Sequence, residues 1–273
     1  MSEFVKIGKE IKIKPNGLDY DLIPGKVYDL LYDDFNCCSY LQENGELNMP
    51  KRLYKFKGDD NFIKRCITYF NSDISTETTG VLLSGLKGSG KSVLAKRIAI
   101  ESNLPIVIVN SQYRLRYLNS FFKNIKTPTC IIFDEFEKNS YYWPTEQILD
   151  FLDGVQSTSK KLVLFTCNNT DKLNDNLLDR TSRIRYWRTY DIKDNYIFIR
   201  ELIKDKGLEN IDELESFILK NMKVISFDNI NSFLEEYKLF KDEYTIKEIF
   251  NVMNLTSNNA NDRIEVVEED DDL

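Results

Sequence analysis

The residues at positions 85–92, GLKGSGKS, constrain this chain more than any other stretch. They lie between an apolar run at 80–83 and a helical pattern at 93–100, the strand and helix that G-x-x-x-x-G-K-[ST] requires around a phosphate-binding loop. In such a loop the backbone amides and the helix N-terminus face a triphosphate, while Lys91 bridges its outer phosphates and Ser92 holds Mg²⁺. A chance glycine-rich loop is the alternative, although the chain has only 11 glycines. The predicted nucleotide-binding residues are Gly85, Leu86, Lys87, Gly88, Ser89, Gly90, Lys91, Ser92 and Val93.

A second apolar run, at 130–133, ends in Asp134 and Glu135. Short apolar runs of this kind are typical of strands buried in parallel sheets, and open α/β sheets bind their ligands at the carboxyl ends of the strands. We therefore expect Asp134 to join Ser92 in holding Mg²⁺ and Glu135 to polarise the water that attacks the γ-phosphate. Acidic strand ends are common, so the pair gains its meaning from the glycine loop.

A third apolar run, at 161–166, leads into Asn168. The amide of Asn168 could orient the attacking water between itself and Glu135. A turn formed by the Asn pair at 168–169 is the alternative.

The order of these motifs, followed by Arg180 and Arg183, resembles an AAA+ ATPase of the AAA clade over residues 81–188. The compact form of the chain resembles bacteriophage-encoded members of that family. The resemblance implies an ATPase that uses ATP and Mg²⁺ and assembles into a homo-oligomeric ring, a hexamer, in which both arginines reach the neighbour's γ-phosphate as arginine fingers. The two residues between the arginines stand where the family commonly has Pro-Gly, so which arginine is the main finger stays open. A solvated basic face is the alternative.

The predicted fold class is α/β: a P-loop NTPase parallel sheet flanked by helices, with a small β-rich N-terminal appendage and a C-terminal helical lid. We expect a β-rich domain at 1–56, a nucleotide-binding domain at 57–190, a helical lid at 191–258 and an acidic disordered tail at 259–273.

Apolar residues at helical spacing predict a helix through Phe62, Ile63, Ile67 and Phe70 at the start of the nucleotide-binding domain. The same spacing predicts lid helices at 195–204, 211–222, 227–240 and 245–255. Asp228 is the expected N-cap of the third lid helix, and no sensor-2 arginine is apparent there.

Composition narrows the function classes. The chain has no histidine, which excludes His-dependent nucleophile mechanisms and argues against a zinc site. Its five cysteines show no C-x-x-C pair and are expected to be reduced thiols. No apolar stretch approaches the ~18 residues that span a bilayer, so we expect a soluble cytoplasmic protein without a membrane partner.

The acidic residues concentrate at the carboxyl end. Positions 262–273 carry seven acids and one arginine, a net −6, so the other residues of this −7 chain carry a net −1. A nearly neutral body gives no charge argument for nucleic-acid binding. Acidic blocks are usually disordered and solvated, with an interaction tail as the alternative.

The sequence leaves the substrate open. Aromatic residues with arginines, at 113–117, and an aromatic run at 141–144 could grip a polypeptide, stack on single-stranded bases, or pack in cores and subunit contacts. The leading hypothesis is an ATP-driven ring that remodels or threads a protein client. A nucleic-acid-directed loader or motor in DNA replication is the alternative. Glu135 argues against a nucleotide-gated scaffold, and Asn168 with the arginine pair argues against a P-loop kinase.

Overall fold

The computed structural model describes residues 4–13, 21–54, 56–109, 113, 118–138, 145–154, 159–190 and 195–255. The described residues form two compact units. The sheet unit lies within Met1–Leu53, Lys57–Leu86 and Gly90–Tyr190, and the helical unit lies within Tyr54–Phe56, Lys87–Ser89 and Asp191–Leu273. Across the described parts of the chain, no helix has the length and apolar character needed to cross a membrane.

The sheet unit is built on a mixed sheet. Its strands, among the described residues, are β1 (Phe4–Ile7), β2 (Glu10–Ile13), β3 (Val27–Asp33), β4 (Cys38–Glu43), β5 (Thr78–Gly85), β6 (Ile106–Val109), β7 (Thr129–Phe133), β8 (Lys161–Cys167) and β9 (Ile184–Tyr190). They are ordered β1-β2-β4-β3-β6-β7-β8-β5-β9, and every neighbouring pair from β3 to β9 is parallel. Strands β5, β7 and β8 are buried along almost their whole length. Burial on both faces explains why these strands are apolar runs without alternation.

The four N-terminal strands extend this sheet, which differs from the separate domain expected at 1–56. Strand β3 pairs in parallel with β6, with Val27 opposite Ile106 and Leu30 opposite Val109. All four of these side chains are buried. The edge of β6 would otherwise present unpaired backbone groups, and an apolar strand beside it satisfies them. The β-rich character expected of this region is confirmed.

Five helices belong to the described part of the sheet unit: α1 (Asp59–Asn71), α2 (Lys91–Glu101), α3 (Leu118–Phe122), α4 (Thr145–Leu152) and α5 (Asp175–Leu178). Helix α1 buries Ile63, Cys66 and Phe70, one face of a 3.6-residue repeat, as the sequence predicts. Helix α1 packs against α2, which in turn packs against β5 and β8. This packing fixes the start of α2 relative to the carboxyl ends of the central strands.

The helical unit contains α6 (Asn195–Asp205), α7 (Ile211–Asn221), α8 (Phe227–Phe240) and α9 (Ile246–Val252). The four helices predicted after residue 191 are confirmed. Phe233 lies at the centre of their core, with its ring centroid 5.8 Å from those of Phe217 and Phe250. Aromatic contacts of this kind bury large areas and hold short helices together.

Two helices of this unit, α8 and α9, begin with side-chain caps. Ser226, and not the expected Asp228, is the N-cap of α8, because its hydroxyl accepts the N–H of Asn229. Asp228 lies in the first turn of the helix instead. Thr245 and Glu248 form a reciprocal capping box at the start of α9.

Some predictions fall outside the described residues: the acidic tail at 259–273 and the aromatic segments at 114–117 and 141–144. Tyr113 is described and buried, and its hydroxyl shares a 2.7 Å hydrogen bond with the hydroxyl of Ser39. This packing favours a core role for Tyr113 over a substrate-gripping role. The five cysteines are free thiols, as predicted.

Candidate active site

The glycine loop leaves β5 at Gly85 and enters α2 after Gly90. Gly85 has φ +141°, and a Cβ there would lie 2.6 Å from the carbonyl oxygen of Tyr190 on β9, so only glycine fits. Gly90, with φ +91°, is the N-cap of α2 and has no side chain to bond the first amides of the helix. Those amides carry the positive end of the helix dipole, which favours a bound anion.

Lys91 is the buried lysine of the loop and the first residue of α2. Its Nζ donates to the carbonyl oxygens of Gly85 at 2.8 Å and Leu86 at 2.7 Å. Burial lowers the pKa of the Lys91 ammonium group, while the Glu137 carboxylate and further acidic groups nearby oppose that shift. A partly desolvated cation held at the loop by neutral acceptors is suited to bind a phosphate oxygen.

The remaining predicted loop residues differ in exposure. Lys87 is exposed, Ser89 is buried and Val93 is half-buried. Positions 87–89 belong to the helical unit, in which the N–H of Phe227 donates to the Gly88 carbonyl at 3.0 Å. Of the two loop lysines, only Lys91 is buried, so Lys91 is the one suited to pair with a phosphate bound in the loop.

Ser92 and Asp134 meet at the carboxyl end of β7. The Ser92 hydroxyl donates to Asp134 Oδ1 at 2.8 Å, and the Thr166 hydroxyl donates to the same oxygen at 2.6 Å. No group of three or more His, Cys, Asp or Glu side chains among the described residues could hold a metal ion. One hydroxyl and one carboxylate suit Mg²⁺, which takes oxygen ligands and completes its shell with waters and substrate phosphates. Ser92 and Asp134 therefore fit the predicted magnesium site.

Glu135 follows in a backbone conformation that non-glycine residues rarely adopt, with φ +49°. Its N–H donates to the Thr166 hydroxyl at 2.8 Å, which holds the backbone in this conformation. Its side chain is 32% exposed and forms an ion pair with Lys138, which raises the pKa of the Lys138 ammonium. Sequence reasoning assigns Thr166 no role. The signal that could have identified it is its position two residues before Asn168.

Asn168 lies one residue beyond β8 and contacts two glutamates. Its Nδ2 donates to Glu137 Oε1 at 2.7 Å and to Glu135 Oε1 at 3.3 Å, and its N–H donates to Glu137 Oε1 at 3.0 Å. The structure therefore brings Asn168 against Glu135, the residue with which the sequence pairs it. Glu137 is a site residue that the sequence analysis missed, because no local pattern distinguishes it from other acidic turn residues.

Three phenylalanines support the segment that carries these carboxylates. Phe133 and Phe165 stand opposite each other on β7 and β8, with stacked rings whose centroids are 5.0 Å apart. Phe136, at the start of the 3-10 turn Phe136–Lys138, packs edge-on against Phe165 at 4.8 Å. All three are buried. Since Phe136 lies between Glu135 and Glu137 in the chain, its packing restrains both glutamates at the strand end.

Arg183 is buried. Its Nε and Nη2 donate to the two carboxylate oxygens of Asp153 at 2.8 and 2.7 Å, and its Nη1 donates to the Asn176 carbonyl at 2.6 Å. This bidentate contact holds the pKa of Asp153 below its usual value. Arg183 thereby ties the end of α4 and helix α5 to the start of β9.

Arg180, by contrast, is exposed. Its carbonyl oxygen accepts the N–H of Arg183 at 2.9 Å, so the buried arginine closes the turn that presents the exposed one. Two nearby arginines are also engaged in cis: Arg185 lies 4.4 Å over a tyrosine ring, and Arg188 pairs with Asp59 at 2.8 Å. The two candidate fingers are therefore not equivalent, and Arg180 is the one that faces solvent.

Residues 81–189 match the model of a family described as ATPase family associated with various cellular activities (AAA). The Uncharacterized AAA domain-containing protein ycf46 of Guillardia theta is 30% identical to this chain over 164 residues, 53% of this chain and 31% of that protein. The Peroxisomal ATPase PEX6 of Dictyostelium discoideum is 28% identical over 155 residues, 47% of this chain and 13% of that protein. The similarity thus spans less than a third of either relative.

The matched segment begins in β5 and ends in β9, and it contains Lys91, Asp134, Asn168 and both candidate fingers. The predicted fold class, a P-loop NTPase sheet with flanking helices, is confirmed by the family match together with the parallel order β6-β7-β8-β5-β9. The segment that carries the candidate site is thus similar to AAA-family ATPase domains.

Proposed function

We propose that this chain is the subunit of an ATP-hydrolysing AAA+ ring that couples ATP turnover to the remodelling or threading of a protein. One observation carries the proposal: Ser92 of α2 is linked by hydrogen bonds to Asp134, and through Thr166 to Glu135 and Asn168, at the carboxyl ends of β7 and β8. A cytoplasmic location, in the host cell if the chain is bacteriophage-encoded, belongs to the same proposal.

Each of these hydrogen-bonded side chains has a chemical role. Ser92 and Asp134 would hold Mg²⁺, which when bound neutralises charge on the β- and γ-phosphates of ATP. Lys91 would exchange its two carbonyl acceptors for phosphate oxygens. Glu135 would accept the proton of the attacking water, and Asn168, which already donates to Glu135, would orient that water.

Arg180 would complete the site of a neighbouring subunit in the ring, which we take to be a hexamer. It is the exposed member of the arginine pair, and a guanidinium that stabilises transition-state charge in trans must be free to cross a subunit boundary. Arg183 would brace the turn that carries it, through Asp153. The supporting observation is this difference in burial between two arginines three positions apart.

A protein client is favoured over nucleic acid by charge. Positions 1–261 carry a net −1, as the charge distribution of the sequence gives, which supplies little attraction for a phosphodiester backbone. A loader or motor acting on DNA is therefore the second candidate, and its signature would be ATPase stimulation by nucleic acid that weakens as salt rises.

Steady-state ATPase assays on the parent and on Glu135→Gln test the proposal, with exposed Glu146→Gln of α4 as a matched control. Glu135→Gln keeps the side-chain shape but removes its basicity, so turnover should fall by about 10²–10⁴-fold while ATP still binds. Glu146→Gln should match the parent. Parental turnover in Glu135→Gln would contradict the catalytic assignment. Repeating the parental assay with unfolded protein, single-stranded DNA and duplex DNA separates the two client classes.

A further inference from the structure

Glu137 is a buried carboxylate beside the candidate catalytic glutamate. Its residue is 6% exposed, whereas the side chain of Glu135, two positions earlier, is 32% exposed. Burial of a carboxylate is costly unless the group is hydrogen-bonded or paired. Glu137 Oε1 accepts both the N–H and the Nδ2–H of Asn168, at 3.0 and 2.7 Å. Glu137 Oε1 thus holds both the backbone and the side chain of Asn168.

These contacts fix the orientation of the Asn168 amide. The nitrogen of the amide faces two carboxylates, Glu137 at 2.7 Å and Glu135 at 3.3 Å. A flipped amide would turn its oxygen toward these two carboxylates and lose both hydrogen bonds. The shorter bond goes to the buried Glu137, and the longer one goes to the more exposed Glu135.

We propose that Glu137 is a positioning residue for ATP hydrolysis, which acts by holding the Asn168 amide in register with Glu135. The inference rests on the proposed function. Asn168 can give up its longer hydrogen bond to Glu135 in favour of a γ-phosphate oxygen or the attacking water. It does so without rotating, because its backbone and its second amide hydrogen stay on Glu137. Glu137 itself touches no reacting atom.

In this proposal, the two glutamates of the segment Asp134–Glu135–Phe136–Glu137 have different functions: Glu135 acts on the water and Glu137 positions Asn168. Packing of Phe136 against Phe165 restrains the turn. Both glutamates accept from the Asn168 amide nitrogen, but the buried Glu137 makes the shorter bond. Loss of Glu137 should therefore loosen Asn168 and lower kcat.

A double-mutant cycle on kcat tests the proposal, with Glu137→Ala, Asn168→Ala and the double variant. Glu137→Ala should lower kcat by about 10- to 100-fold, the scale of a misplaced catalytic group. The double variant should be within about threefold of Asn168→Ala, because the two residues act as one unit. Glu137→Gln keeps an acceptor oxygen in place and should retain at least about a third of parental kcat.

Three results would overturn the positioning role: multiplicative losses in the double variant, an unchanged kcat in Glu137→Ala, or equal losses in Glu137→Gln and Glu137→Ala. Should Glu137→Ala fail to fold, Glu137→Asp, which shortens the reach to Asn168 by one methylene, replaces it in the cycle with the same expectations. A parent without ATPase activity would overturn the proposed function together with this inference. An active parent with an unaffected Glu137→Ala variant would overturn this inference alone.

Discussion

Lys161, at the start of β8, provides a quantitative test of the structure far from the candidate site. The residue is 1% exposed, and its Nζ donates to the Ile125 and Ser159 carbonyl oxygens at 3.1 Å each, and to the Ser159 hydroxyl. Burial lowers the pKa of the ammonium group from 10.5 to about 8, and the charge of Glu77 only partly opposes this. The lysine is therefore more readily deprotonated in the folded chain than in the unfolded one.

The sign and size of the effect on stability follow from this pKa. Between about pH 8 and pH 10.5 the unfolded chain keeps a proton on Lys161 that the folded chain has lost, so the free energy of unfolding rises with pH. At about 1.4 kcal/mol per pKa unit, the whole rise is about 3 kcal/mol. Below pH 8 both states are protonated, and the full cost of burying the charge is present.

The substitution Lys161→Met isolates this contribution. Buried thiols act in the opposite direction, since burial raises the pKa of Cys66 to about 12, but they are common to both proteins and cancel in the difference. Urea unfolding at a series of pH values should show the parent gaining about 3 kcal/mol relative to Lys161→Met from pH 8 to pH 10.5. The hydrogen bonds lost in the variant shift the whole difference by a constant amount and leave its slope unchanged.

A matched control is Lys172→Met, which removes an exposed lysine. The difference between this variant and the parent should stay level across the same pH range. A level difference for Lys161→Met as well would refute the assignment of a buried, destabilised charge. A difference that falls with pH would mean that the folded state binds the proton more tightly than the unfolded chain.

Three further outcomes are expected. Lys91→Ala should abolish ATP binding in calorimetry, whereas Lys87→Ala, at an exposed position, should bind ATP like the parent. Equal ATP affinities in all three proteins would contradict the phosphate-binding role of Lys91. Mixed Arg180→Ala and Lys91→Ala subunits should regain part of the ATPase activity that each lacks alone, because one supplies an intact loop and the other an intact finger; an inactive mixture that still assembles by light scattering would count against action in trans. Arg183→Met should destabilise the fold by about 2–3 kcal/mol. This is less than the loss expected for a fully buried ion pair, because Asp153 is 28% exposed. In urea unfolding, Asp153→Asn should add little to the loss caused by Arg183→Met, and additive losses would argue against the ion pair.

The parts of the site that the sequence predicted are those in which chemistry and spacing are local. Gly85 to Ser92 lie within eight positions, and Asp134 directly follows an apolar strand. Parallel strands place their carboxyl ends at one edge of a sheet, so the sequence alone pairs Asn168 with Glu135. The lid helices were equally predictable from the sequence, because a 3.6-residue apolar repeat is a property of the segment itself.

The parts that the sequence did not predict depend on contacts between distant positions. Glu137 matters because Asn168, 31 positions away, donates to it. The distinction between the two candidate fingers depends on Asp153, 30 positions before Arg183. Both positions carry the same side chain, so the sequence alone does not distinguish them. The location of Asp153 decides that Arg183 is buried in an ion pair while Arg180 is exposed.

The parallel pairing of β3 with β6 also determines when β3 can complete its hydrogen bonds during synthesis on the ribosome. Val27 and its partner Ile106 are 79 positions apart, and the connection between them includes β5 and α2. At about 5–20 residues per second, roughly 4–16 s pass between translation of the two strands. During that interval β3 can pair with β4 but has no partner along its other edge. We expect nascent chains arrested before β6 to be sensitive to proteolysis across β3, and longer ones to become protected once β6 leaves the exit tunnel.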